Sequence, residues 1–219
     1  MALVNVLIMA DLFGAKKSVG IILPMLIVCD FTVYPMFRKY ATWRQVIPLL
    51  VPIVIGIFSG CFFLSMINDM TARKLIGSIV LVMTAIQLIR IYEEKFLQNL
   101  PDSKSFLWGT GITIGIATMM ANAAGPVYSV YALVHKMSKK QFLGIGARCF
   151  LLVNLIKVPF MAGLDMITSG TMKLDVALLP GIFAGIYAGR FFISKIPQRI
   201  FEILLYFFSI VAGIRMVFF

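Results

Sequence analysis

Eight apolar runs, separated only by short charged clusters, limit what this chain can become: residues 2–12, 18–35, 46–66, 75–91, 106–134, 142–161, 174–193 and 200–219. Most have the roughly 17–25 residues that cross a hydrocarbon core as helix. In lipid every backbone N–H and C=O must be satisfied within its own segment, so segments this apolar become helices. The 219 residues are 61% hydrophobic and 13% charged, where a soluble domain averages about 45–50% and 25%. No long hydrophilic stretch remains to build an extramembrane domain. The expected fold class is therefore all-α, a polytopic transmembrane helical bundle forming one membrane domain over residues 1–219.

Two runs are irregular. The first is too short to cross alone. The fifth is too long for one simple crossing and contains A-N-A-A-G-P at 121–126. Pro126 removes a backbone donor and Gly125 frees the chain to turn. A broken or re-entrant segment is expected near 121–126, either a kinked helix or two pieces forming a hairpin.

The chain also repeats itself. Lys16, Gly20, Asp30 and Pro35 recur as Lys140, Gly144, Asn154 and Pro159 at one offset of 124 residues. Further on the offset slips, and Gly56, Gly60, Phe62 and Phe63 recur as Gly185, Gly189, Phe191 and Phe192. Arg90 recurs as Arg215. The expected organisation is two pseudo-symmetric repeats, 1–98 and 104–219. Internal duplication in a polytopic chain is the mark of a secondary transporter with its site between the halves. The first repeat lacks a counterpart to 106–124. A lost leading helix, a start lying further upstream and a natural short variant all fit that gap.

Charge bears on topology. The net charge is +11, which in a soluble protein would suggest nucleic acid. Here Lys and Arg lie mostly at segment ends, where they set topology and meet anionic lipid heads. No basic surface interleaved with aromatics is long enough for nucleic acid, which is excluded as a partner. If the fifth run crosses once, the basic loops balance between the two sides. If it enters and returns, the halves are inverted. Arg38, Lys39, Arg44, Lys95, Lys104, Lys136, Lys139, Lys140, Lys195 and Arg199 then collect on one side. The positive-inside tendency favours the second arrangement, with that side cytoplasmic.

These segments resemble the sulfite exporter TauE/SafE family, also called the four-toluene sulfonate uptake permeases. In the first half the likeness is carried by F-G-A-K-K-S-V-G-I-I-L-P (13–24), R-K-Y-A-T-W-R (38–44) and V-P-I-V-I-G-I-F-S-G (51–60). In the second half it is carried by A-N-A-A-G-P-V-Y-S-V-Y (121–131), S-K-K-Q-F-L-G (138–144) and N-L-I-K-V-P (154–159). Each motif is short and apolar, and the ordered set carries the specificity. The resemblance implies a two-repeat permease of the bacterial-type plasma membrane that moves sulfite, sulfonates or related sulfur-containing organic anions. Members usually open with a Gly-rich segment that is absent here, which leaves a non-transporting assembly protein or an inactive truncated permease as the alternative.

Few residues are available for chemistry. Asp30 and Asn154 are repeat partners deep in their runs, where a charge costs roughly 2.5–3.5 kcal/mol on insertion scales. Lys157 lies one helical turn after Asn154, on the same face. These three are expected to meet where the halves meet. Lys157 would hold an anion, Asn154 would donate to it, and Asp30 would either carry a coupling proton or pair with Lys157 to join the halves. Lys157 is also near enough to its segment end to snorkel. Arg148 offers a fork suited to sulfur oxyanions, or a partner for a carbonyl freed at the break. A half-helix starting after Gly125 would present free N–H groups to an anion, with Asn122, Gly125 and Pro126 shaping it. The G-x-x-x-G pairs Gly56/Gly60 and Gly185/Gly189 read as close helix packing.

Several classes fall away. His135, the only histidine, reads as a headgroup contact beside Lys136. Cys29, Cys61 and Cys149 read as free thiols packed as small hydrophobes. No metal motif, cofactor site or P-loop is visible, and no nucleophile–base pair suggests an enzyme. The expected partners are a small anion and membrane lipid, with self-association left open.

Overall fold

The computed structural model describes residues 9–10, 12–173, 175–178, 180–181 and 198–218. Most of runs 2–12 and 174–193 lies outside the described residues. So do Gly185, Gly189, Phe191, Phe192 and Lys195, and with them those repeat and charge assignments.

The described residues form helices α1 (Ala15–Phe37), α2 (Trp43–Met66), α3 (Asp69–Tyr92), α4 (Glu94–Gln98), α5 (Lys104–Ala121), α6 (Gly125–Val134), α7 (Lys139–Gly163) and α8 (Gln198–Phe218). A 3₁₀ turn, Arg38–Tyr40, extends α1. Among the described residues, four helical spans are long and apolar enough to cross a membrane: Ala15–Tyr40, Trp43–Met66, Asp69–Tyr92 and Lys139–Gly163.

Helix starts are written in local chemistry. Thr42 and Gln45 form a capping box on α2, and Ser138 and Gln141 form one on α7. Each satisfies amide groups that the first turn leaves bare. Ser103 accepts from the Phe106 N–H at 3.1 Å to open α5, and Asn68 accepts from the Thr71 N–H at 2.8 Å to open α3. α1 is capped from a distance. Its first N–H groups, on Ala15 and Lys16, donate to the Asp69 carboxylate at 3.1 and 3.0 Å. A carboxylate there also meets the positive end of the helix dipole.

The fifth run is a hairpin. α5 ends at Asn122, whose φ of 52° lies in the left-handed region, which Asn tolerates better than most residues. α6 begins at Gly125 and turns back. Its end returns to the start of α5, where His135 Nε2 lies 3.1 Å from Asp102 Oδ1 and the His135 and Phe106 rings are 6.3 Å apart. Of the two arrangements open in the sequence, the segment takes the one that enters and returns.

α1 and α7 run antiparallel across the middle of the bundle. Gly20 of α1 faces the Met166 backbone beyond the end of α7. Gly144, 124 residues further on, faces the backbone of Tyr40 and Ala41, where an added Cβ would lie 2.8 Å from the Tyr40 carbonyl carbon. Asp30 and Asn154 meet between these two contacts. At the end where α1 finishes and α7 starts, Lys140 lies 5.6 Å over the Tyr40 ring. Arg38, Lys39, Arg44, Lys95, Lys104, Lys136, Lys139 and Lys140 therefore share one end of the bundle. α2 packs on α5 backbone to backbone. A Cβ at Gly115 would press into Ile53 and Gly56, and one at Gly60 would come 3.0 Å from Met119 Cβ. The close-packing role expected of Gly56 and Gly60 is what the fold uses.

Candidate functional site

Among the described residues, one ammonium is fully buried. Lys157 has no exposed surface, and its Nζ donates to Asn122 Oδ1 at 2.5 Å, Thr118 Oγ1 at 3.2 Å and Asn154 Oδ1 at 3.3 Å. An ammonium has three N–H donors, so these three acceptors satisfy it completely. It does not snorkel. The cost of burying the charge is met by three oxygens and, one residue further, by a carboxylate.

Asn154 makes that link. Its Oδ1 accepts from Lys157 while its Nδ2 donates to Asp30 Oδ2 at 2.7 Å. The acid and the ammonium are thus joined through an amide. Asn122 makes a second bridge, since its Nδ2 donates to the Val19 carbonyl of α1 at 3.0 Å. The left-handed turn at Asn122 lets one side chain reach both α1 and α7 from the tip of α5. Asp30, Asn122, Asn154 and Lys157 form one chain of hydrogen bonds over three elements.

Gly125 and Pro126 open α6 just past Asn122. Pro126 is buried, while Gly125 is exposed, with nothing near a Cβ placed on it. No side chain caps the start of α6, so the first N–H groups of the half-helix keep their partial positive charge.

Arg148 stands apart, nine residues before Lys157 on α7 and so about 13 Å along the axis. Its Nε and Nη2 donate to the Arg38 carbonyl at 3.2 and 2.9 Å. Its guanidinium lies 4.6 Å over Trp43 and 5.8 Å over Tyr34. It ties the end of α1 to α7 at the basic end. His135 packs on the hairpin mouth, with Nδ1 3.0 Å from the Tyr131 carbonyl. Among the described residues, no three His, Cys, Asp or Glu side chains gather to hold a metal.

Two groups that join the cluster were not singled out in the sequence. Thr118 lies four residues before Asn122 and so shares its helix face, but a lone Thr in an apolar helix normally bonds its own backbone. The Val19 carbonyl carries no side-chain signal at all.

Among the described residues, an apolar helical bundle with a broken hairpin and a buried, fully hydrogen-bonded ammonium defines a multi-pass membrane protein. The family model for the sulfite exporter TauE/SafE matches residues 1–216, and the chain belongs to that family. Its members are membrane transporters of sulfur-containing anions, not enzymes. No curated protein and no solved structure matches the chain.

Proposed function

We propose that this chain is a secondary transporter of sulfite, sulfonates or related sulfur-containing organic anions in the plasma membrane, with the Lys157 cluster as its substrate site. The observation that carries this reading is the buried ammonium at the hairpin break, held only by uncharged oxygens. An incoming oxyanion replaces the Asn122, Thr118 or Asn154 oxygen on Lys157, and Asn122 and Asn154 turn their amide N–H groups toward it. The uncapped start of α6, at Gly125 and Pro126, adds partial positive charge. Arg148 contacts the anion at the basic end with Nη1, which the Arg38 carbonyl leaves free.

Charge balance supports proton coupling. Lys157 and Asp30 together are neutral, so a bound monoanion leaves one uncompensated negative charge in a low-dielectric interior. A proton on Asp30 cancels it. Asp30 sits one amide away from the ammonium, so the two ligands share one cluster.

The antiparallel pair α1/α7 supports two inverted halves, 1–98 and 104–219. An offset of 124 residues carries the Gly20–Met166 contact onto Gly144 and a position one residue from Ala41. Asp30 and Asn154 then lie on the axis relating the halves, the usual place for a transporter's site. The basic end is assigned to the cytoplasm.

The test is labelled sulfite flux in proteoliposomes, with unlabelled sulfonates and carboxylates as competitors. Saturable flux that sulfonates inhibit is expected. Absence of flux for both sulfite and sulfonates would overturn the reading.

A further inference from the structure

A polar cavity opens at the basic end, away from Lys157. It has a volume of about 240 Å³ and is lined by Gln45, Tyr131, His135, Met137, Gln141 and Ile145. We infer that this cavity is a binding vestibule for a small free oxyanion, a first station on the route to the buried site. The inference rests on the permease reading and adds a site to it.

The donors are set by the helix caps. Gln45 Oε1 accepts from the Thr42 N–H at 2.9 Å, and Gln141 Oε1 accepts from the Ser138 N–H at 3.0 Å. Both capping boxes fix the amide oxygen, so each Nε2 group faces away from its cap. Neither Nε2 makes a hydrogen bond among the described residues. Tyr131 is only 4% exposed, yet its hydroxyl also finds no partner among the described residues. The hydroxyl is not sealed from solvent, so it is open to the cavity that Tyr131 lines. Gln45 and Gln141, both exposed, thus line one cavity together with Tyr131, Met137 and Ile145.

The nearest acid, Asp102, is met by His135, which spends Nε2 on it and Nδ1 on the Tyr131 carbonyl. Arg44, Lys136, Lys139 and Lys140 each lie within two residues of the cavity lining and raise the local concentration of anions. The donors suit oxygens, and the volume admits an ion of sulfite size together with water. A lipid phosphate has the same chemistry, so the test separates the two sources.

Glutamate in place of either glutamine keeps a capping-box acceptor and replaces the N–H donors with negative charge. Equilibrium dialysis of labelled sulfite against the purified chain in detergent measures stoichiometry and affinity. The wild type is expected to bind two sulfites per chain. The Gln45→Glu/Gln141→Glu double variant is expected to bind one, with an unchanged melting temperature. Tyr131→Phe should weaken the vestibular site at least about tenfold. Lys139→Gln, which removes one positive charge outside the cavity, should weaken it far less. Equal binding by the double variant and the wild type would overturn the inference, as would an equal effect of Lys139→Gln. Displacement of sulfite by equimolar phosphatidylglycerol would also overturn it and give the cavity to a lipid headgroup. If the wild type binds one sulfite and the double variant none, the vestibule stands and Lys157 is not the sulfite site.

Discussion

Two interfaces of this bundle are built on opposite principles. α2 and α5 meet through Gly56 and Gly115, which face backbone, and through Gly60 and Gly111, which face the side chains of Met119 and Pro52, with no polar side chain required. α1, α7 and the hairpin tip meet around Lys157 through hydrogen bonds that link Asp30, Asn154, Asn122 and Thr118. The first interface is fixed by shape. Between lipid-soluble helices, where hydrophobic burial gives little driving force, close packing of small residues supplies much of the cohesion. The second is fixed by charge satisfaction, which under the proposed function is exchangeable, an anion taking the place of an asparagine oxygen. A transporter needs both, one contact that holds and one that can trade partners.

The contrast can be broken from either side. The largest effect is expected from Gly115→Leu, which drives a side chain into the Ile53 carbonyl and Gly56. Overpacking of this severity should cost more than about 4 kcal/mol and be read as loss of monodisperse protein on size exclusion. Asn122→Ala should follow at about 2–3 kcal/mol, from the orphaned ammonium donor and carbonyl and from the left-handed backbone. Asn122→Gly should recover roughly 1 kcal/mol of that by thermal unfolding, with sulfite flux lost in both. Equal stability of the two would refute the strain argument.

Asp30→Asn keeps an acceptor for Asn154 and removes the charge. Flux driven by an imposed pH gradient should disappear while anion exchange at equal pH persists. Full gradient-driven flux in this variant would refute proton coupling through Asp30. The smallest effect belongs to Arg148→Lys, which loses the two-donor grip on the Arg38 carbonyl and the stack on Trp43. About 1 kcal/mol of thermal stability should go with it.

The legible parts of this molecule were those that side-chain identity determines. Apolar run lengths set the helical bundle, and the excess of basic residues at alternate loops pointed to the hairpin. Repeat position and helical spacing brought Asp30, Asn154 and Lys157 together on paper, and A-N-A-A-G-P marked the break. The sequence did not reveal how the break is used. That Asn122 takes a left-handed turn and reaches both α1 and α7 depends on the crossing of three helices, which no local pattern encodes. Thr118 joined the cluster because α5 faces α7 at that height. The Val19 carbonyl, a backbone group, left no trace. Arg148 illustrates the converse: its fork was readable, but its use on the Arg38 carbonyl depended on how α1 ends.

The measurement that bears most directly on the central claim is sulfite flux in proteoliposomes carrying Lys157→Met beside the wild type. Met preserves the length of the side chain and removes the ammonium. The account predicts background flux in a variant that still elutes as a single species, with two unmet amide oxygens costing about 1–3 kcal/mol of stability each. Saturable flux at the wild-type level in Lys157→Met would contradict it and leave the buried cluster as a structural tie between the halves.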